Sequence, residues 1–365
     1  MSREAGARRG RPLRLLAYTD NSELGGADLS LSHLLAFLGA EVEVGVLGVN
    51  RAIVERVAQP RPEAAKVVVP APRSGHDWAS LTAHVRAIRS FRPDIVHANL
   101  SSPWSCQYAI AAAALTGRSA VAVYQLPVPA VSGRQRLAKR LTSRRVDRHV
   151  GVGDRTSREV ESLVGLPAGS VQTVHNGVPD VAVEPMPRAR PGAIVGAAGR
   201  LEPQKGFDVL LRALHDVDDA TLVLIGDGSE RKHLRSLARS LELDDRIVWL
   251  GWSADVRSYL PAFDVFVLPS RFEGFPLVVL EALLAETAVV ATNVGSVPEA
   301  VRDEETGLLV PAGDAAALAA AMRRLLGDDA LRRSLGGRGR RLVLDRFTAQ
   351  HMAHSFRAMY DELVR

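Results

Sequence analysis

The strongest constraint on the fold is an alternation that starts twice. Short apolar runs rich in β-branched residues alternate with longer amphipathic ones. In the first half, strands are expected at 13–18, 41–47, 66–69, 94–97, 120–124, 148–152 and 171–174, with helical runs such as 78–91, 104–115 and 155–164 between them. A second series of strands follows at 193–198, 221–225, 246–250, 264–268 and 288–291. Strands separated by helices are joined by crossovers to parallel neighbours, so the expected class is α/β with doubly wound sheets. Residues 179–191 carry four prolines and no apolar period, as a linker does.

Composition narrows the partners. A chain of 365 residues, 47% apolar and 24% charged, can bury two separate cores. No apolar stretch has the length of a membrane span, and the run at 13–18, broken by Arg14, is too short for a signal peptide. With a single cysteine, Cys106, no intrachain disulfide or cysteine-cluster metal site can form, which suits a cytoplasmic protein. The net charge of +5 suits an anionic ligand or surface. Nucleic acid is not expected, because the few aromatics do not interleave with the basic residues.

The richest stretch chemically is 271–281, Arg-Phe-Glu-Gly-Phe-Pro-Leu-Val-Val-Leu-Glu. Pro276 suits the first turn of a helix, where its missing N–H costs nothing. Glu273 therefore falls in a loop after a strand, and Glu281 inside an apolar helix where an unpaired acid is costly. Gly274, Phe275, Pro276 and Leu277 lead into a helix N-terminus whose free N–H groups favour an anion. Both acids lie toward the carboxyl end of a strand, where open α/β sheets bind ligands. Upstream, Arg200 follows a strand and a small-residue run, and Lys205 precedes Gly206 and a new helix. After the first strand, Gly25 and Gly26 let a ligand approach the backbone closely; a plain turn is the competing reading.

These segments resemble the retaining family 4 (group 1) glycosyltransferases of GT-B fold. Glu273 and Glu281 match the family's E-x₇-E signature. Gly199-Arg-Leu-Glu-Pro-Gln-Lys-Gly206 is similar to its G-R-L-x-x-x-K-G segment, and Leu224-Ile-Gly-Asp-Gly228 to its G-x-G loop. His175-Asn-Gly-Val178, residues 290–299 and residues 307–311 match further segments in the family's order. The resemblance is tight in the C-terminal half and loose in the N-terminal half.

The resemblance implies two Rossmann-like domains facing each other across a cleft. The first, 1–184, would bind the acceptor and the second, 185–346, the nucleotide-sugar; residues 347–365 would pack back on the first. It implies a hexosyltransferase that takes its sugar from a UDP-sugar, with a GDP-sugar as the alternative, and delivers it to a small-molecule, glycan or lipid-linked acceptor. Arg200 and Lys205 would clamp the diphosphate as a planar fork and a point charge, in place of a metal and with no cofactor. Glu273 would contact sugar hydroxyls and Glu281 the ribose, each able to accept two hydroxyl protons. Gly25 and Gly26 would face the donor phosphates and the acceptor, and Trp252 is a further substrate-binding candidate.

Two positions depart from the family. Gln125 stands where many members carry a sugar-contacting histidine, and Glu286 where glycine is usual. His97 and His175 are not substitutes and read as structural. Residues 134–148, rich in Arg and Lys with Leu137 and Leu141 one turn apart, could form a solvated basic helix or a peripheral contact with the inner membrane face. Two rival readings stand beside transfer: a nucleotide-sugar-binding protein with weak or lost activity, motivated by Gln125, and an epimerase on the same fold.

Overall fold

The structure, a computed structural model, describes residues 11–73, 76–128, 133, 139 and 141–365. The chain forms two units. One is Met1–Pro179 together with Ala349–Arg365, and the other is Asp180–Thr348.

The first unit runs β1 (Leu13–Thr19), α1 (Gly26–Phe37), β2 (Val42–Gly48), α2 (Arg51–Ala58), β3 (Ala65–Val68), α3 (Trp78–Phe91), β4 (Ile95–Leu100), α4 (Gln107–Leu115), β5 (Ser119–Tyr124), β6 (Arg148–Gly151), α5 (Asp154–Val164) and β7 (Val171–Thr173). Its strands form a seven-stranded sheet in the order β3-β2-β1-β4-β5-β6-β7, parallel throughout. Leu15, Leu16, Ala17 and Tyr18 of β1 are all buried although consecutive. A central strand covered on both faces requires this.

The second unit runs β8 (Ala193–Ala198), α6 (Phe207–His215), β9 (Ala220–Ile225), α7 (Arg231–Ser240), β10 (Ile247–Gly251), β11 (Val265–Leu268), α8 (Leu277–Leu284), β12 (Ala288–Thr292), β13 (Leu308–Val310), α9 (Ala315–Leu326) and α10 (Asp329–Arg346). Its six strands are also parallel, in the order β10-β9-β8-β11-β12-β13. The edge strand β13 is three residues long, too short for sequence periodicity to expose.

The last helix, α11 (Ala349–Val364), belongs to the first unit. Its Tyr360 hydroxyl lies 2.6 Å from His97 Nδ1 on β4, and its Arg357 pairs with Glu41. Burial pushes the His97 imidazole down to about 3, so it stays neutral and structural. No helix among the described residues is long and apolar enough to cross a membrane.

Both sheets change direction beside their first strand. The order passes from β2 through β1 to β4, and from β9 through β8 to β11. Crossovers leave opposite faces there, so a crevice opens at the carboxyl ends of β1 and β4 in one unit and of β8 and β11 in the other.

Glu286 stands in a backbone conformation that favours glycine. It ends α8 with φ +59°, in the left-handed region, and α10 crosses above it so closely that a Cβ on Gly336 would lie 2.0 Å from the Glu286 carbonyl. A side chain in this conformation costs about 1–2 kcal/mol. A surface ion pair to Arg340 at 3.6 Å offsets little of that. Glu286→Ala loses the ion pair and keeps the strain, whereas Glu286→Gly relieves it. The glycine variant is expected to be more stable than the alanine variant by about 1 kcal/mol. A thermal melt in which alanine is the more stable of the two contradicts this account.

Candidate active site

At the carboxyl ends of β8 and β11, four loops come together at glycines. A Cβ on Gly226 would lie 1.9 Å from the Gly199 carbonyl, one on Gly206 2.2 Å from that of Pro269, and one on Gly295 2.0 Å from that of Glu273. Side chains at these points would push the loops after β8, β9, β11 and β12 apart. The loops are also bonded to one another. Arg271 N–H donates to Gln204 O (2.8 Å) and Gln204 Nε2 to Phe272 O (2.9 Å). The Arg271 guanidinium grips Asp208 at 2.8 and 2.7 Å. Ser296 N–H donates to Gly274 O (2.8 Å).

This frame brings Lys205 and Glu273 into contact. Lys205 Nζ lies 2.5 Å from Glu273 Oε1, and the Ser270 hydroxyl donates to the same oxygen at 2.7 Å. Glu273 is buried with only 5% of its surface exposed, and a buried carboxylate is stable only with such partners. The Arg200 side chain, on the same loop as Lys205, is exposed, and its guanidinium makes no hydrogen bond or ion pair among the described residues. One cation is therefore held and the other is free to meet a ligand. Sequence reasoning did not pick out Gln204, Arg271 or Asp208, whose partners are distant in the chain, nor Ser270, which lies three residues from its partner Glu273.

Pro276 is the N-cap of α8, in extended conformation, one position before the expected first turn. The Phe275 side chain is buried 5.1 Å from the Phe347 ring, so only its backbone can serve a ligand, and Leu277 is likewise buried. Gly274 is buried beneath the Ser296 contact. Glu281 lies one helical turn further on, partly buried, its carboxylate with no hydrogen-bond partner among the described residues. Burial pushes its carboxyl up to about 7, and the nearby Arg257 charge offsets this only in part. Trp252 follows the left-handed Gly251 at the end of β10 and is 63% exposed. No metal-holding Asp-x-Asp triplet is expected, yet Asp216–Val217–Asp218 has that pattern; it sits between α6 and β9, at the amino ends of the strands and so on the opposite edge from Arg200.

In the first unit, Gly25 caps α1 in extended conformation with φ −141°, and neither it nor Gly26 has a positive φ. A Cβ at either position would meet no atom within 4 Å. No described neighbour therefore excludes a side chain at either position. Buried Asp28 shapes this turn. Its carboxylate accepts from Thr19 Oγ1 (2.7 Å), Asn21 Nδ2 (2.9 Å) and the Gly25 N–H (3.1 Å). Gln125 follows β5 with both ends of its amide engaged: Nε2 donates to Asn99 Oδ1 (2.9 Å) and Oε1 accepts from Asn176 Nδ2 (3.1 Å).

Residues 134–138 and 140 of the basic stretch lie outside the described residues; Arg144 and Arg145 are exposed, whereas Lys139 is enclosed. It is 2% exposed, with Nζ 5.1 Å from the centre of the Tyr124 ring.

The unpaired Glu281 predicts a pH effect on stability. Its carboxyl holds a proton more tightly folded than unfolded, so this contribution is full below about pH 4.5 and is lost as pH rises through about 7. Glu281→Gln removes the buried charge. We expect the variant to match the parent near pH 5 and to exceed it at pH 8 by about 1–3 kcal/mol, a few degrees in the second unit's melting transition. A variant that melts below the parent at pH 8 contradicts an unpaired, desolvated Glu281.

Two family models match the chain in order: Glycosyltransferase Family 4 over residues 26–181 and Glycosyl transferases group 1 over 192–328. The lipopolysaccharide core biosynthesis glycosyltransferase LpsE of Rhizobium meliloti is 35% identical over 45% of this chain and 48% of its own length. The chain spans about half the length of this relative and of LpsD, a second lipopolysaccharide core biosynthesis glycosyltransferase of Rhizobium meliloti. The 2-deoxystreptamine glucosyltransferase of Streptomyces kanamyceticus is 27% identical over 78% of this chain and 82% of its own. Among solved structures, Anabaena HepE in complex with UDP and glucose superposes with a TM-score of 0.79 at 19% identity, covering 96% of this chain and 100% of HepE. Its two parallel sheets give the chain the GT-B fold, and by the two matched models it belongs to the group 1, family 4 glycosyltransferases.

Proposed function

We propose that the chain is a retaining hexosyltransferase that takes its sugar from a UDP-sugar. The observation that carries this reading is the cluster at the carboxyl ends of β8 and β11: exposed Arg200, the Lys205–Glu273 pair and the unpartnered Glu281. A sugar diphosphate develops negative charge on its leaving group as the glycosidic bond breaks, and fixed cations stabilise that charge. Arg200 meets the diphosphate with its planar fork and Lys205 with a point charge. Glu273 Oε1 orients Lys205, and its other oxygen is left for sugar hydroxyls. Glu281 accepts from the ribose, and Trp252 offers an exposed ring near the nucleotide. UDP is favoured over GDP because HepE was crystallised with UDP and with UDP-glucose.

The acceptor hydroxyl attacks on the face from which the diphosphate leaves, and a donor phosphate oxygen takes its proton. No protein base is then required, and rate comes from orientation and charge stabilisation. A second reading, sugar-nucleotide binding without transfer, is favoured by one observation: the Gln125 amide is engaged at both ends inside the protein.

Incubation with labelled UDP- and GDP-sugars and an acceptor panel separates the two readings, since only the first gives a glycosylated product. Arg200→Ala and Lys205→Ala are each expected to lower turnover by about 100-fold or more with the fold intact, the usual cost of losing one charge-stabilising contact. A chelator is expected to leave the rate unchanged. Near-parental turnover in both variants, or strict dependence on added magnesium, contradicts the cationic clamp.

A further inference from the structure

Four side chains in the first unit form a head-to-tail chain that begins and ends on α1. Ser30 Oγ donates to Asn176 Oδ1 (2.6 Å), Asn176 Nδ2 to Gln125 Oε1 (3.1 Å), Gln125 Nε2 to Asn99 Oδ1 (2.9 Å), and Asn99 Nδ2 to the carbonyl of Ala27 (2.8 Å). Ser30, Asn99 and Asn176 are 3%, 1% and 4% exposed.

The direction of this chain follows from its last member. A backbone carbonyl can only accept, so Asn99 must turn its NH₂ toward Ala27 and its oxygen toward Gln125. Gln125 must then present its NH₂ to Asn99 and its oxygen to Asn176, and the Ser30 hydroxyl must donate. Each amide that would otherwise be free to flip is fixed by the next, and bonds aligned in one direction polarise and strengthen one another. The sequence separations are 146, 51, 26 and 72 residues. The chain therefore ties the first turns of α1 to the carboxyl ends of β4 and β5 and to the segment after β7.

Ala27 directly follows Gly25 and Gly26, where a Cβ would meet no atom within 4 Å. Asp28 holds that turn by the Gly25 N–H, and Asn99 holds it by the Ala27 carbonyl. We propose that Asn99 is a positioning residue for the glycine turn. It does not touch substrate; it fixes where the backbone of residues 25–27 stands and which way the Gln125 amide is turned. Its effect on transfer rests on the function proposed above, whereas its effect on the turn does not.

The experiment compares the full-length parent with Asn99→Ala and Asn99→Asp. Hydrogen exchange at the backbone amides of residues 25–29 reads the turn directly. In Asn99→Ala it should quicken by about tenfold, the worth of one lost hydrogen bond, while exchange in β8 to β12 stays parental. Transfer should fall by about 100-fold, as for a misplaced loop. The aspartate variant guards against a merely space-filling role and against an alanine variant that does not fold. An ionised carboxylate cannot donate to Ala27, but a protonated one can, so the protection of residues 25–29 should return as pH falls. Asp20 and Asp28 nearby raise the pH at which this happens.

Parental exchange at residues 25–29 in Asn99→Ala overturns the proposal, as does pH-independent exchange in Asn99→Asp. If the parent transfers no sugar to any acceptor, the proposed function fails, yet the exchange measurements still decide the role of Asn99.

Discussion

The ligand edge of the second unit depends on backbones that approach too closely for a side chain between them. Gly226 against Gly199, Gly206 against Pro269 and Gly295 against Glu273 each leave less than 2.5 Å to a hypothetical Cβ. These contacts bring the loop carrying Arg200 and Lys205 against the loop carrying Glu273. Without them the Lys205–Glu273 pair would have no fixed geometry, and catalysis by charge stabilisation depends on fixed charge. The cost of burying that carboxylate is met inside the cluster by Lys205 and Ser270. Glu281 has no such compensation, and its raised carboxyl pKa is the physical trace of that.

Where a residue's role is decided by its neighbours in the chain, the sequence discloses it. Glu273 and Glu281 sit in a strand–loop–helix unit, so their placement near the carboxyl end of β11 follows from local pattern. Arg200 and Lys205 are similarly fixed by the short loop between β8 and α6. Both sheets and the linker were legible because alternation and proline content are local properties.

Where long-range packing decides, the sequence misleads or is silent. Phe275 looks like part of a ligand-facing helix entry, yet its ring is buried near Phe347, far along the chain. Lys139 belongs to a basic run, yet it is enclosed over Tyr124. Asn99 and Ser30 form no pattern, and the motif that holds Asn176 does not disclose its partners, because each finds them only after the sheet has assembled. Glu286 is intermediate: its departure from glycine is visible in the sequence, but its left-handed backbone is visible only in the structure.

The central claim is that an uncompensated Glu281 awaits the ribose of a nucleotide donor. Calorimetric titration of the full-length protein with uridine diphosphate at pH 7, in buffers of different ionisation enthalpy, tests it directly. With its carboxyl near 7, about half the free molecules carry the proton. Ribose hydroxyls that donate to the carboxylate favour its ionised form. The account predicts that binding releases up to about half a proton and that Glu281→Gln abolishes this share. Equal proton release in parent and variant, or tight binding unaffected by the substitution, would contradict it.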